Sequence, residues 1–476
     1  LQSIRVISRT SVLGYQGSMR NMREIGRELE ADAILEGGIQ RIGDRIRINV
    51  QLIDAKSDAH LWAAQYDREL LPANIFEVQA EIAKSISAEL HANLTDQDAR
   101  QLRVLPTENM AAYRAYHQAL DVRDSVGVDD PEYILHLQEA VKLDPAFTRA
   151  WAELAGYLSF RNFSRYDRDS VHQVEQMLEQ IRTLAPNSAD YLIAQSFYTY
   201  YILRNYEDAY RLISQAQRLK PSDPQILDLK SWIQRRLGDF DGKIESIRQA
   251  RKLDPRNPKW TRTLVSSLII NHEYDEASEE VANTVNPGFS LLVVNSKLQL
   301  REHRDFDRWA SELIALEAEF ENPGIHVDRW ESSIATRDFA TAEKLAEKLR
   351  TSGDFSYWLS ISSLSGVDIF KLTTYWSMQD RDKLDTYLAQ VRAELDDSQN
   401  ANAGYLVNAR TLVMAYINAA EGNKEETRRL IRAWRRETQN DLAHLSVKWQ
   451  HTCRALGMVA ATEETVECLR AGLNQP

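Results

Sequence analysis

The side chains able to do chemistry in this sequence are scattered rather than grouped. Across 476 residues there is no glycine-rich phosphate loop, no Gly-x-Ser-x-Gly elbow, no His-Glu-x-x-His pair and no paired-carboxylate motif. The spacings that build nucleotide, acyl-transfer and zinc-hydrolase sites are therefore missing. Glu36-Gly37-Gly38 lies inside an alternating apolar stretch and opens no helix. It is no nucleotide fingerprint, and its glycines read as room for a neighbouring chain or a bulge. The ten histidines are dispersed. His451 and Cys453 stand two residues apart, about 200° around a helix, which suits no shared metal ion. No cofactor and no metal is expected, and the chain reads as non-enzymatic.

Three groups remain. Arg428, Arg429, Arg432, Arg435 and Arg436 form a basic stripe on a helix that also carries Leu430, Ile431 and Trp434. A stripe of this kind is a solvated face or a docking face. Glu425 and Glu426 precede Arg429 at helical spacing and pair part of its charge. Phe197, Tyr198, Tyr200, Tyr201 and Tyr206 crowd one short stretch, and exposed tyrosines offer apolar area with a hydroxyl handle. Cys453 and Cys468 are the only cysteines and fall in the last predicted helix pair, Leu445–Leu456 and Thr462–Leu473, joined near Gly457. They are a disulfide staple on a terminal hairpin or two buried free thiols.

The elements that must carry these groups follow two rhythms. Formal net charge is −12, with 43% hydrophobic and 27% charged residues. That is an ordinary folded composition, and the acidic balance argues against general nucleic-acid binding. No stretch approaches the length of an apolar membrane span. Up to about Tyr66 the apolar period is two. A short strand is expected over Ser3–Ser8, a helix over Arg20–Glu30, a hairpin of Ala33–Ile42 with Arg45–Leu52 around Gly43-Asp44, a third strand over His60–Tyr66, and a helix over Ile75–Leu94. The two-residue loop fixes a register that pairs Leu35 with Leu52, Gly37 with Val50 and Ile39 with Ile48. The result is a small α/β sandwich.

From Pro106 the text becomes amphipathic helices with short polar joints. Leu143-Asp144-Pro145, Leu184-Ala185-Pro186, Leu219-Lys220-Pro221 and Leu253-Asp254-Pro255 repeat one punctuation mark, with prolines 41, 35 and 34 residues apart. That is the helix–turn–helix period of tetratricopeptide (TPR) repeats. Trp151-Ala152-Glu153-Leu154-Ala155-Gly156-Tyr157 matches the repeat's opening, with Ala155 in its glycine slot. The first interval is too long, and its surplus is expected between helices in Arg161–Asp169. After Asn286 the prolines vanish, though turns recur at Arg337-Asp338-Phe339, Gln379-Asp380 and Glu421-Gly422-Asn423. Such repeats bury their apolar faces only by stacking, so one continuous superhelix is expected.

In the frame set by Pro221, Tyr198 and Tyr201 fall on the side of the first helix that lines a TPR groove, with Phe197 and Tyr200 on the packed side. The candidate ligand contacts are Tyr198, Tyr201, Trp232 and Arg262, for a protein or peptide partner; the competing reading is that the tyrosines pack against adjacent repeats. Asn162, Arg165 and Tyr166 are candidates for the groove's mouth.

The first region resembles a known family. Val6-Ile7-Ser8-Arg9-Thr10-Ser11, Ile25-Gly26-Arg27-Glu28-Leu29, Ile34-Leu35-Glu36-Gly37-Gly38, Asp44-Arg45-Ile46-Arg47-Ile48, Gln51-Leu52-Ile53-Asp54-Ala55 and His60-Leu61-Trp62 follow in order. They are similar to the TolB amino-terminal-like (FlgO-like) domain, which precedes TPR repeats in many bacterial proteins. The resemblance implies that Leu1 falls inside the domain, since the family's domain opens with an earlier strand and helix. It also implies an upstream effector, either a CadC-like winged-helix transcription regulator with a membrane span or a class III adenylate/guanylate cyclase. Family members that place this region beyond a membrane span tilt the cysteine reading toward a bridge and the compartment toward the periplasm. The expected domains are residues 1–96 (α/β), 97–110 (joint), 111–290 (TPR repeats) and 291–476 (degenerate TPR-like hairpins). The expected role is a sensory or scaffold region of a bacterial signalling protein. The alternatives are the regulatory region of a cyclase and a freestanding envelope scaffold. An open sheet edge at Ser3–Ser8 would offer a homo-oligomer contact.

Overall fold

The computed structural model describes residues 4–15, 20–69, 72–91, 106–125, 127–128, 130–164, 167–284, 288–320, 325–351, 366–397, 404–437, 445–459, 464–466 and 468. Two short helices come first, α1 (Arg9–Leu13) and α2 (Met22–Leu29), capped by Ser8 and Asn21. The strand expected over Ser3–Ser8 does not form in the described residues 4–8. Ser8 caps α1 instead, and its amide, which a strand would have paired along a sheet, goes to the Leu253 carbonyl at 2.7 Å.

The sheet has three antiparallel strands in sequence order, β1 (Ala33–Ile42), β2 (Arg45–Asp54) and β3 (His60–Glu69). Its register pairs Leu35 with Leu52, Gly37 with Val50, Ile39 with Ile48 and Gln40 with Arg47, as the two-residue loop dictates. Gly43 takes φ 62° at the first loop position, the geometry of a hairpin turn that favours glycine there. A Cβ on Gly37 would lie 2.5 Å from the Asn49 carbonyl oxygen, so close approach of β2 explains that glycine. Helix α3 (Pro72–Glu89) lays Ile75, Val78 and Ile82 over Ile46, Ile48, Val50 and Tyr66. That cover stops short of the edge strand: on β1, Leu35 stays 46% and Ile39 71% exposed.

The chain divides into two compact units: Leu1–Phe163, Asp167–Ile233 and Glu245–Trp260 form the first, and Ser164–Tyr166, Gln234–Ile244 and Thr261–Pro476 the second. The first holds the sheet and helices α4 (Met110–Ser125), α5 (Pro131–Leu143), α6 (Thr148–Ser164), α7 (Arg168–Leu184), α8 (Ala189–Tyr201) and α9 (Tyr206–Leu219), with most of α10 (Pro224–Arg236) and α11 (Phe240–Leu253). The second takes in most of α12 (Pro258–Ile270), then α13 (Tyr274–Ala282), α14 (Phe289–His303), α15 (Phe306–Phe320), α16 (His326–Ala335), α17 (Phe339–Thr351), α18 (Gly366–Met378), α19 (Arg381–Asp397), α20 (Gly404–Ala420), α21 (Lys424–Glu437) and α22 (Leu445–Met458). No helix among the described residues is long and apolar enough to cross a membrane.

One turn type closes seven of these helix pairs. A single left-handed residue ends the first helix: Arg204, Gly238, His272, Arg304, Arg337, Gln379 and Gly422, spaced 34, 34, 32, 33, 42 and 43 apart. The next residue's amide often reaches five residues back, as from Asp239 to Gln234, Glu273 to Leu268, Asp338 to Ser333 and Asn423 to Asn418. This is the C-terminal wrap that satisfies the last carbonyls of a helix. Side chains of Asn205, Asp239, Asp305, Asp338 and Asp380 then cap the following helix by accepting an N–H three residues on. The TPR period therefore survives past residue 290 as far as Arg337, and the same turn then recurs at the longer spacings. Arg304-Asp305-Phe306, which the proline pattern passes over, is one of them.

The surplus in the first interval is not in the joint. Helices α6 and α7 each run 17 residues, against 13 and 14 in α8 and α9. The extra residues fall in or beside the expected stretch but as helix, 161–164 ending α6 and 168–170 opening α7, where buried Asn162 donates to the Ser170 hydroxyl across the two ends. The expected joint at 97–110 lies largely outside the described residues. Of the expected last helix, Thr462–Leu473, only 464–466 and 468 are described, all helical. Gly457 sits inside the last turn of α22 rather than beyond it.

Candidate functional site

The first helices of successive pairs stand side by side in the first unit, and their facing side chains form a ladder of rings. Phe160 on α6 meets Tyr201 on α8 edge-on at 5.5 Å between centroids; Phe197 stacks on Tyr201 at 6.0 Å; Tyr200 meets it at 4.6 Å; and Trp232 on α10 meets it at 6.4 Å. Tyr201 is only 4% exposed. The repeat frame predicts that it faces a partner, and its place at the centre of the ladder makes it core instead. The reason is its position near the end of α8, where the neighbouring inner helices α6 and α10 both lean on it. Tyr198 is half-buried, packs on the α6–α7 pair and donates its hydroxyl to Glu175 on α7 at 2.7 Å. Trp232 is half-buried; Arg262 is exposed and belongs to the second unit. Tyr201 and Trp232 are thus brought together, and Tyr198 turns to another surface.

The ladder ends on a charge pair that no motif announces. Asp228, the fifth residue of α10, is 8% exposed. One carboxylate oxygen pairs with the Lys259 ammonium on α12, and the other, Oδ1, has no hydrogen-bond partner among the described residues. The same ammonium lies 5.8 Å from the Trp232 ring centroid and 4.9 Å from that of Trp260. The signal that could have found the pair is the repeat frame itself, which puts Asp228 and Lys259 on the first helices of adjacent pairs.

Further acids continue the pattern. Glu153 on α6 accepts from Arg123 at 3.2 Å and from the Tyr133 hydroxyl at 3.0 Å. Asp190 on α8 accepts from Lys220 at 2.7 Å and Thr148 at 3.3 Å, with Arg149 at 3.9 Å. Burial pushes the Asp190 carboxyl up, but Lys220 and Arg149 outweigh it and hold the group below the ordinary range. Burial, reinforced by Glu153, drives the Tyr133 hydroxyl well above its ordinary value, so it stays a donor.

Asn162 fastens the α6–α7 joint: its amide donates to Ser170 and Leu158, and its carbonyl accepts from Asp167. It is therefore engaged within its own repeat. Arg165 and Tyr166 lie outside the described residues, as does the side chain of His451. In the basic stripe, Arg428 pairs with Glu425 and Glu464, and Arg429 with Glu426, above buried Leu430, Ile431 and Trp434.

The second unit holds its own polar cluster. Lys297 on α14 pairs with Asp328 on α16, while Arg454 on α22 approaches Glu331 on α16 at 3.9 Å and lies 5.6 Å from the Trp330 ring. Burial raises the Glu331 carboxyl above its ordinary value, with Lys297 and Arg454 opposing. No spacing in the sequence announces a contact between residues 331 and 454. Cys453 and Cys468 are joined by a disulfide, with Cα atoms 5.5 Å apart. No group of three His, Cys, Asp or Glu residues among the described residues is placed to hold a metal. What these inner helices offer is half-buried aromatic area beside a paired ammonium, the chemistry of gripping a chain.

No family model matches the chain. It is 34% identical over 154 residues to "Putative adenylate cyclase 3" of Rhizobium meliloti (strain 1021), a match covering 32% of this chain and 25% of that protein. The chain thus spans about a quarter of that relative's length. Among solved structures it is similar to PilF of Pseudomonas aeruginosa, at 16% identity and TM-score 0.32 over 44% of this chain and 93% of that one. A tetratricopeptide repeat protein of Parabacteroides merdae matches at 11% identity and TM-score 0.38, over 56% and 98%. The human IFIT1 dimer with PPP-AAAA matches at 12% and 0.38, over 80% and 95%. These likenesses are too loose to carry function, and the repeat architecture rests on the helix pairs and turns described above: a small three-stranded sheet followed by a long TPR-like run of helices.

Proposed function

We propose that this chain is a non-catalytic protein- or peptide-binding region of a bacterial signalling protein, with the inner helices of its TPR-like array as the binding surface. The observation that carries this reading is the half-buried Trp232 under the Lys259 ammonium, itself paired to the buried Asp228. An indole held rigid by neighbouring rings gives a partner apolar area at little entropic cost, and the charge pair gives direction. The TolB amino-terminal-like resemblance of the first region and the cyclase-named relative both favour a signalling context. The relative also favours a second reading, in which the chain regulates a class III cyclase domain lying elsewhere in the same protein. The disulfide favours an oxidising compartment such as the periplasm.

A displayed peptide library panned on the full chain tests the main reading. Peptides selected on the wild type are expected to lose at least about tenfold in affinity for Trp232→Ala, the cost of one interface anchor, in a variant that stays folded by circular dichroism at the assay temperature. Selected peptides that bind the variant equally well overturn the groove assignment. The cyclase reading is tested by joining the relative's cyclase portion to this chain: activity independent of the chain's presence removes it.

A further inference from the structure

Helix α1 of the small α/β domain is fastened to the repeat array at a carboxylate. Asp254, from the last Leu-Asp-Pro signal, receives four side-chain donors. Ser8 and Ser11 reach its Oδ1, the latter at 2.6 Å, while Asn257 and Trp260 reach its Oδ2 at 2.8 and 3.2 Å. The backbone reinforces the junction: Ser8 N–H donates to the Leu253 carbonyl, and Arg256 N–H donates to the Ser11 hydroxyl at 3.0 Å. Ser11 is 1% exposed. Beside it the Arg256 guanidinium lies 4.6 Å from the Tyr15 ring centroid, and Arg9 on α1 pairs with Asp121 on α4 at 2.8 Å.

The other Leu-Asp-Pro aspartate provides the comparison. Asp144 also accepts a hydroxyl, but from Thr107 in the segment leading directly into α4. Asp254 instead takes serines more than 240 residues away in the sequence. A local fastener in one repeat has become a fastener between domains in another.

Its position links it to the candidate groove. Trp260, which donates to Asp254, carries the Lys259 ammonium on its ring face, and Lys259 pairs with Asp228. Four contacts run without a gap from the groove wall to the small domain: Asp228 to Lys259, Lys259 to Trp260, Trp260 to Asp254, and Asp254 to Ser8 and Ser11. We infer that Ser8 and Ser11 form a latch on Asp254 through which the state of the Asp228–Lys259 pair is felt by helix α1 of the small domain. A partner that draws Lys259 or Asp228 into its own contacts shifts the Trp260 indole and withdraws a donor from the carboxylate that holds both serines. Coupling of this kind needs a continuous packed and hydrogen-bonded path with two arrangements. The path is present, and the latch supplies the element that opens. This deepens the proposed function only in naming the groove as the input; the latch itself stands without any ligand.

Amide hydrogen exchange on the full chain tests it with no ligand added, so its failure leaves the peptide-binding reading standing, and the converse holds. In the Ser8→Ala, Ser11→Ala double variant, which leaves Asp254 and Trp260 intact, exchange of amides 8–12 is expected to rise about tenfold or more, because two hydrogen bonds to a charged acceptor are lost. In Asp228→Asn, Lys259→Met, which neutralises both members of the groove pair, the same amides are expected to exchange several-fold faster, while β1–β3 and α5 keep wild-type rates. Coupling is reciprocal, so the serine variant is also expected to speed exchange of the Trp260 amide. Lys230→Met, which lies off the path beside Gln217 and Tyr210, serves as the control. Wild-type protection of amides 8–12 in Asp228→Asn, Lys259→Met overturns the coupling, and wild-type protection in the serine variant overturns the latch.

Discussion

The sheet and the repeats solve the same burial problem to different degrees. Helix pairs stacked within each unit bury apolar faces against their neighbours, so Ile213, Ile247, Leu264 and Trp330 are sealed. Across its apolar face the sheet has one long helix, α3, for three strands, and the short α2 meets β1. Helix α3 covers β2 and β3 and leaves Leu35 and Ile39 of the edge strand open on the same face. Stacking repeats complete one another, whereas a small sheet with one covering helix leaves both a backbone edge and an apolar strip without cover among the described residues. Truncation should therefore be costly in the repeats and nearly free on β1.

The largest effect is expected at the ring ladder. Tyr201→Ala should destabilise the chain by about 3–5 kcal/mol, the usual cost of removing a buried aromatic side chain, whereas Tyr198→Ala should cost well under half as much. Urea unfolding followed by circular dichroism reads both. Equal, small losses would return Tyr201 to the set of exposed contacts.

Next comes the disulfide. Reduction, or Cys453→Ser with Cys468→Ser, should lower stability by about 3 kcal/mol for a closed loop of about 15 residues. Thermal melts with and without reductant measure it. A melt indifferent to reductant would show that the terminal helices hold themselves and would remove the argument for an oxidising compartment.

The smallest effect on stability, and the sharpest on the comparison, belongs to the sheet edge. Ile39→Lys should change unfolding free energy by no more than about 0.5 kcal/mol, as for an exposed site, yet should suppress self-association through β1 by placing a charge on the edge. Sedimentation velocity decides: a chain that sediments identically with and without the lysine has no copy-to-copy contact there.

The hairpin is legible because its information is local. Gly43-Asp44 sets a two-residue loop, and alternation of Ile46, Ile48, Val50 and Leu52 then admits only one register that keeps the apolar face whole. The TPR period is legible where proline marks it. It fades where the prolines stop: Arg204 and His272 close turns without glycine inside the proline-marked repeats, whereas left-handed Arg304, with neither glycine nor proline signal to advertise it, goes unread. The Ser3–Ser8 segment misleads for the opposite reason. Val6 and Ile7 have strand character, but the Ser8 amide and hydroxyl find Leu253 and Asp254 far along the chain.

Local pattern along the chain dictates which pieces form: a polar-turn hairpin with a covering helix, then helix pairs at TPR spacing. These follow from periodicity and turn chemistry, which act over a few residues and can be read in order. Which side chains meet across pairs is a matter of packing at long range. Tyr201 became core, Asp228 found Lys259, Arg454 reached Glu331, and one Leu-Asp-Pro aspartate served its own repeat while another fastened a distant domain. Each of those outcomes depends on how one packed helix is placed on the next, and a contact between residues hundreds of positions apart is set by the summed geometry of every repeat between them rather than by any local pattern.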